Sequence, residues 1–257
     1  MTSECLLRWV AVIAVLGCAQ PARAHVGMLR RTSLDAIVHW EEAEIRIPVD
    51  PALEARFGTG VRRALADAAE AWDLGGQVPK VELVHEVSEQ DRLHAFEETA
   101  NWVGFAASWS FGDKLAVTVS TFEVDTGALL AVQVWLNPNR TFELVSEGRA
   151  PVGRDTYDLQ AVLTHELGHV LGLGEAAQVP EATMFPIIHR GETRQRRLSE
   201  ADEDAVDELY AHTFLSKVAH AQCSSAAPLA GPFASRSIVL AGAVVFALRR
   251  GTRRARL

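Results

Sequence analysis

Two histidines and the glutamate beside one of them carry the most specific chemistry in this chain. His165, Glu166 and His169 lie within Tyr157-Asp158-Leu159-Gln160-Ala161-Val162-Leu163-Thr164-His165-Glu166-Leu167-Gly168-His169-Val170-Leu171-Gly172-Leu173-Gly174-Glu175. On a helix, side chains four residues apart stand one above the other on a single face, so both imidazoles can reach one Zn²⁺ ion. Glu166, next to the first histidine, is then placed to take a proton from water activated by that ion. The spacing supplies two ligands and a base.

That chemistry requires a helix, and the surrounding residues predict one. Asp158 is a suitable N-cap, and Leu159, Val162, Leu163 and Val170 supply the buried side. Gly172, three residues after His169, marks a point where the helix ends and the chain turns back toward the metal. Upstream, Ala43-Glu44-Ile45-Arg46-Ile47 alternates as a strand does. Asp50-Pro51 resembles a helix start, although Gly58 and Gly60 interrupt it and a second start lies near Thr59. From there Val61, Leu65, Ala68 and Trp72 keep helical spacing up to Gly75-Gly76. Lys80 to Val87, Val103 to Trp109, Leu115 to Phe122 and Ala131 to Leu136 read as strands. Near the end of the domain Ser199 reads as an N-cap with Asp202 at the capping-box position. This order predicts an α+β domain, a twisted sheet packed on helices.

At this point the sequence resembles the metzincin clan of zinc peptidases, whose motif is H-E-x-x-H-x-x-G-x-x-H followed by a Met-turn. More narrowly it is similar to a bacterial matrixin, related to the catalytic domain of matrix metalloproteinases. Leu163 to Gly174 matches that family's helix, Ala182-Thr183-Met184-Phe185-Pro186 its Met-turn, and Leu198 to Tyr210 its final helix. The resemblance implies a mixed sheet of about five strands on two long helices with a third, C-terminal helix. It implies one catalytic Zn²⁺, with Met184 as a soft floor beneath it and Pro186 and Ile188 along the wall of the substrate pocket. It also implies an edge strand that holds peptide in extended form, for which Leu115 to Phe122 is the candidate. Calcium is possible in such a domain but cannot be placed on these residues; His85 and His94 are available, as scattered histidines commonly are.

The departures from the family pattern bear on the metal. Where a third histidine is usual, this chain has Glu175. In one reading Glu175 completes the set His165, His169 and Glu175, since two His and one Glu are an established catalytic combination. Alternatively His189, or an acid of the last helix such as Glu203 or Asp207, coordinates instead, or the site is weakened or inactive. Ile188 replaces the aromatic residue that is common in the pocket wall. Two functions follow as expectations: a zinc-dependent endopeptidase acting on protein or peptide substrates, or a zinc-stabilised surface recognition or adhesion module.

The ends of the chain differ from its middle. Residues 25–215 carry a net charge of −16 and residues 216–257 carry +7, within an overall charge of −8. A domain this acidic is repelled by phosphate backbones, which argues against nucleic acid as a partner. Arg8, the apolar run Trp9 to Gly17 and Ala22-Arg23-Ala24 predict a signal peptide over residues 1–24, cleaved before His25. Val15-Leu16-Gly17-Cys18 is a competing, imperfect lipoprotein box. After the peptidase domain at 25–215, residues 216–257 contain a small-residue linker from Gln222, an apolar stretch from Ser237 to Leu248 and a closing cluster of arginines. That order resembles the C-terminal sorting signals of some bacterial surface proteins, the myxobacterial kind especially; a plain membrane anchor is the other reading, although the stretch is shorter than the ~20 residues a span needs. The expected location is outside the cell, on the surface or outer envelope or secreted. Cys5 and Cys18 fall in the leader and leave Cys223 alone, so the exported domain must rely on its core and its metal rather than on a disulfide.

Overall fold

A computed structural model of the chain describes residues 28–76, 78–95, 97, 99–145, 156–223, 244–247 and 249–250. The expected leader and most of the C-terminal stretch lie outside the described residues. Strand β1 (Glu44–Pro48) follows the alternation in the sequence, with Ile45 and Ile47 buried and Glu44 and Arg46 exposed. Both helix starts that follow it are used. Asp50 caps α1 (Pro51–Phe57) by accepting from the Ala52 amide at 2.9 Å, and after Gly58 the chain starts again as α2 (Gly60–Glu70), which buries Val61, Leu65 and Ala68.

The next strand, β2 (Lys80–Val84), ends three residues earlier than the alternation suggested. A local capping box is the reason: the Asp91 amide donates to Ser88 Oγ at 3.1 Å and the Ser88 amide to Asp91 Oδ2 at 2.9 Å, which starts the short helix α3 (Glu89–His94). Strand β3 (Trp102–Phe105) is likewise shorter than expected, whereas β4 (Ala116–Phe122) and β5 (Leu129–Leu136) fall where the sequence put them, β5 starting two residues early. β2 runs parallel to β1, β3 runs parallel to β5, and β4 is antiparallel to β5. A parallel bridge between Val49 and Val103 joins the two groups, giving the order β2-β1-β3-β5-β4.

A two-residue strand β6 (Phe142–Glu143) pairs with β7 (Tyr157–Asp158), which leads directly into α4 (Leu159–Val170). Beyond α4 come β8 (Ile187–Ile188) and α5 (Glu200–Cys223). Of the helices expected to carry the sheet, α2 has 11 residues and α4 has 12, and the C-terminal α5 is longer, with 24. α5 also runs without a break past residue 215, where the sequence reading ended the domain. Within the expected tail, β9 (Val244–Ala247) adds to the outer edge of β4, and β10 (Arg249–Arg250) pairs with β8. Among the described residues no helix is long and apolar enough to cross a membrane.

α4 is the centre of the molecule, and every residue in it except Gln160 is buried. A helix buried all round must find partners for the carbonyls its C-terminus leaves open. Trp40 and Tyr210, from distant parts of the chain, provide two of them, and Trp72 adds a bond to a carbonyl in the middle of the helix. Trp72 Nε1 donates to Thr164 O at 2.8 Å, Trp40 Nε1 to Val170 O at 2.7 Å, and the Tyr210 hydroxyl to Leu171 O at 2.8 Å. Tyr210 is fully buried, and burial pushes its phenol above the usual range. Tyr210→Phe keeps the packing and removes the donor, so it is expected to lower the urea midpoint by the equivalent of about 1–3 kcal/mol with the slope unchanged. An unaltered midpoint would show that this bond contributes nothing.

Candidate metal centre

The two ends of α4 are fixed independently. At its start the Asp158 carboxylate accepts from the Ala161 amide at 3.0 Å and receives two bonds of 2.6 Å from the Arg196 guanidinium. At its end the Leu173 amide donates to Gly168 O and the Gly172 amide to His169 O, both at 3.0 Å, which is a Schellman closure. Gly172 has φ +101°, and a Cβ there would lie 2.7 Å from Val38 O, so glycine is required on two counts. The chain then runs beside the N-terminal segment, with Leu173 bridging Leu29 and the Gly174 amide donating to Met28 O at 2.6 Å. This return places Glu175 opposite the histidines.

His165, His169 and Glu175 offer ligand atoms that all lie within 4.8 Å of one another. The Glu175 carboxylate is 3.7 Å from Nε2 of each histidine, one oxygen toward each. That is too long for hydrogen bonds and close to the ~3.4 Å between donors in a tetrahedral zinc site with ordinary bond lengths. The far nitrogens are held by main-chain oxygens: His165 Nδ1–H donates to Thr183 O at 2.7 Å and His169 Nδ1–H to Leu173 O at 2.9 Å. A carbonyl only accepts, so the proton sits on Nδ1 and the Nε2 lone pairs face the cluster. Burial holds both imidazoles neutral, His165 down to about 4 and His169 down to about 3. His165 Nε2 and Glu166 Oε1 are buried with no hydrogen-bond partner among the described residues. Neutral imidazoles and a carboxylate at these separations fit a single zinc ion.

Glu166 is fully buried beside the cluster, and its Oε2 accepts from the Thr118 hydroxyl of β4 at 2.6 Å. Burial raises its carboxyl to about 8, against the opposing effect of the Thr118 bond. Met184 is also fully buried, and it lies against α4 at Gly168, where a Cβ would collide with its sulfur and sit 2.7 Å from the Trp72 ring. Ile188 is buried in β8 and Pro186 half-buried just before it. The other candidate ligands lie apart from the cluster. Glu203 and Asp207 are exposed on α5, His189 is half-buried, and none of the three belongs to the group around His165. His85 and His94 join no such group among the described residues.

Two residues matter more than the sequence suggested. Thr118 was visible only as one position of an alternating strand. Asp202 was legible as a helix cap and does act as one, accepting from the Ser199 amide at 2.8 Å and the Ser199 hydroxyl at 2.7 Å. It also accepts from the Thr183 amide at 2.7 Å and the Met184 amide at 3.1 Å. One buried carboxylate therefore pins the turn whose Thr183 carbonyl orients His165.

A family model described as Matrixin matches residues 54–211, more than half of the chain. Metalloendoproteinase 5-MMP of Arabidopsis thaliana is 43% identical over 53 residues, which are 21% of this chain and 14% of that protein. The matched segment thus spans about a seventh of that relative's own length.

Asp202→Ala leaves the buried Thr183 and Met184 amides without their acceptor. We expect a loss of about 2–5 kcal/mol in urea unfolding and a zinc affinity weakened by about 10–100-fold, the second measured by chelator competition. A variant with wild-type affinity would show that the Met-turn orients His165 without help from α5.

Proposed function

The chain belongs to the matrixin family, and on that premise we propose that it is an exported zinc-dependent endopeptidase with His165, His169 and Glu175 as ligands and Glu166 as general base. The observation that carries this reading is the Glu175 carboxylate placed equally, at 3.7 Å, from both Nε2 atoms. A bound zinc ion would polarise the peptide carbonyl and make water a stronger acid. The residues of the chain do the rest. Thr118 holds one oxygen of Glu166, leaving Oε1 to take the proton of the attacking water and return it to the leaving amine. Neutral histidines and an anionic Glu175 give the site one negative charge more than three imidazoles would, which moderates the Lewis acidity of the ion. Pro186 and Ile188 form an apolar wall for a substrate side chain, and the edge of β4 that β9 covers in this structure is the one an extended substrate backbone would take.

The test is zinc stoichiometry by mass spectrometry together with casein cleavage, with and without chelator, on wild type, Glu175→Ala and Glu166→Gln. We expect one zinc and chelator-sensitive cleavage in wild type, loss of both in Glu175→Ala, and in Glu166→Gln a retained zinc with turnover reduced about 10²–10⁴-fold. Zinc retained in all three with no cleavage of any peptide pool would make the protein a zinc-stabilised recognition module instead.

A further inference from the structure

The outer edge of β4 is occupied by the chain itself. β9 lies antiparallel to it, with Val244 opposite Ser120, Val245 opposite Val119, Phe246 opposite Thr118 and Ala247 opposite Val117. Two residues later β10 runs parallel to β8, Arg249 opposite Ile187 and Arg250 opposite Ile188. Residues two apart in a chain have Cα atoms no more than about 7 Å apart, so β4 and β8 are the two banks of one groove.

Both banks are tied to the metal centre. Thr118, opposite Phe246, donates to Glu166, and β8 follows the turn whose Thr183 carbonyl holds His165 and whose Met184 packs against Gly168. A backbone paired with both banks thus runs between two elements that each hold a group of the metal centre. We propose that Val244–Arg250 is the enzyme's own substrate, bound in cis and hydrolysed at one of the two peptide bonds joining Ala247, Leu248 and Arg249. This rests on the peptidase reading above. The reaction consumes one water: its hydroxyl goes to the carbonyl carbon as the C–N bond breaks, and Glu166 carries its proton to the departing nitrogen. The products are a domain with a new C-terminus and a short peptide holding Arg249, Arg250, Arg253, Arg254 and Arg256.

The sequence of the segment suits this role. Its apolar half, Val244-Val245-Phe246-Ala247, lies along the β4 bank, where Val117, Thr118 and Ser120 are fully buried. Its basic half follows the crossing. The charge of +7 on residues 216–257 against −16 on residues 25–215 draws the tail toward the domain. Twenty residues separate Cys223 from Val244, up to about 70 Å of extended chain, enough to reach the groove from the end of α5. Cleavage would remove the arginine cluster and free the β8 bank, leaving Val244–Ala247 on β4 as a tethered product that other extended peptides, with apolar residues before the bond and basic residues after it, must displace.

The experiment follows the intact mass of the zinc-loaded full chain over time, beside a casein assay of the same sample. Wild type is expected to lose residues 248–257 or 249–257 with a first-order rate that tenfold dilution leaves unchanged, while Glu166→Gln keeps its full mass. Hydrogen exchange on Glu166→Gln, which needs no turnover, should show protection of the β4 amides that do not face β5. The double variant Val245→Pro, Phe246→Pro removes a ladder bond whichever of the two adjacent amides faces β4. It is expected to lose that protection and, on the active background, to slow tail loss at least tenfold while casein cleavage persists. A wild-type chain that cleaves casein but keeps its tail overturns the proposal and leaves the peptidase intact. So does a tail-loss rate proportional to protein concentration, or one unaffected by the two prolines. A chain that cleaves neither casein nor itself overturns the peptidase reading, and this proposal with it.

Discussion

Burying two imidazoles and a carboxylate inside an apolar core is the constraint around which the rest of this structure is arranged. Each such group costs up to several kcal/mol if it is left without a partner. His165, Glu166 and His169 are all fully buried, and His165 Nε2 and Glu166 Oε1 have no hydrogen-bond partner among the described residues. The imidazoles give their Nδ1 protons to Thr183 O and Leu173 O, and Glu166 receives the Thr118 hydroxyl. The other side of each faces the same small volume, which Glu175 borders. An ion placed there converts a destabilising arrangement into a stabilising one, so its binding free energy is also folding free energy.

The partners that orient these groups come from separate layers of the fold. Thr118 belongs to the sheet, Thr183 to the turn after α4, and the turn is fixed in turn by Asp202 of the last helix. The carbonyls at the end of α4 are met by Trp40, before β1, and Tyr210, on α5, and one in its middle by Trp72, after α2. Gly168 lets Met184 and Trp72 approach α4 between the two histidines, and a methyl group there would push them away. The floor of the site and the main core are therefore the same packing.

Much of this was legible because it follows from periodicity. The i, i+4 pair of histidines, the Asp158 cap and the Gly172 stop are local signals, and the structure has each of these features where the spacing put it. What was not legible depends on contacts between distant residues. A capping box shows that Asp202 bonds Ser199, but its bonds to Thr183 and Met184 span 19 and 18 residues and have no sequence period. Thr118 lies on the inner face of a strand, and only the packing of α4 on β4 shows that it meets a glutamate. The stretch before the terminal arginines was read as a membrane or sorting segment. Of that stretch only Val244–Ala247 is described, as β9 on the edge of β4, and its pairing has no local signal in the sequence. α3 escaped notice for the opposite reason, since Ser88 and Asp91 carried its signal without any apolar periodicity.

The three candidate donors come from eleven consecutive residues, 165 to 175, joined by one helical turn and a Schellman closure. Closing so short a loop costs little chain entropy, whereas the groups that dry and orient the site are gathered from Trp40 to Tyr210 and must wait for non-local contacts. The donors can therefore come together early in folding, around α4 alone, while the buried environment that makes them useful arises only when sheet, turn and final helix have docked. On the peptidase reading proposed above, hydrolytic competence would then be among the last properties a newly made chain acquires, and a partly folded molecule would hold a metal only in a wet, unoriented site that does little harm to its neighbours.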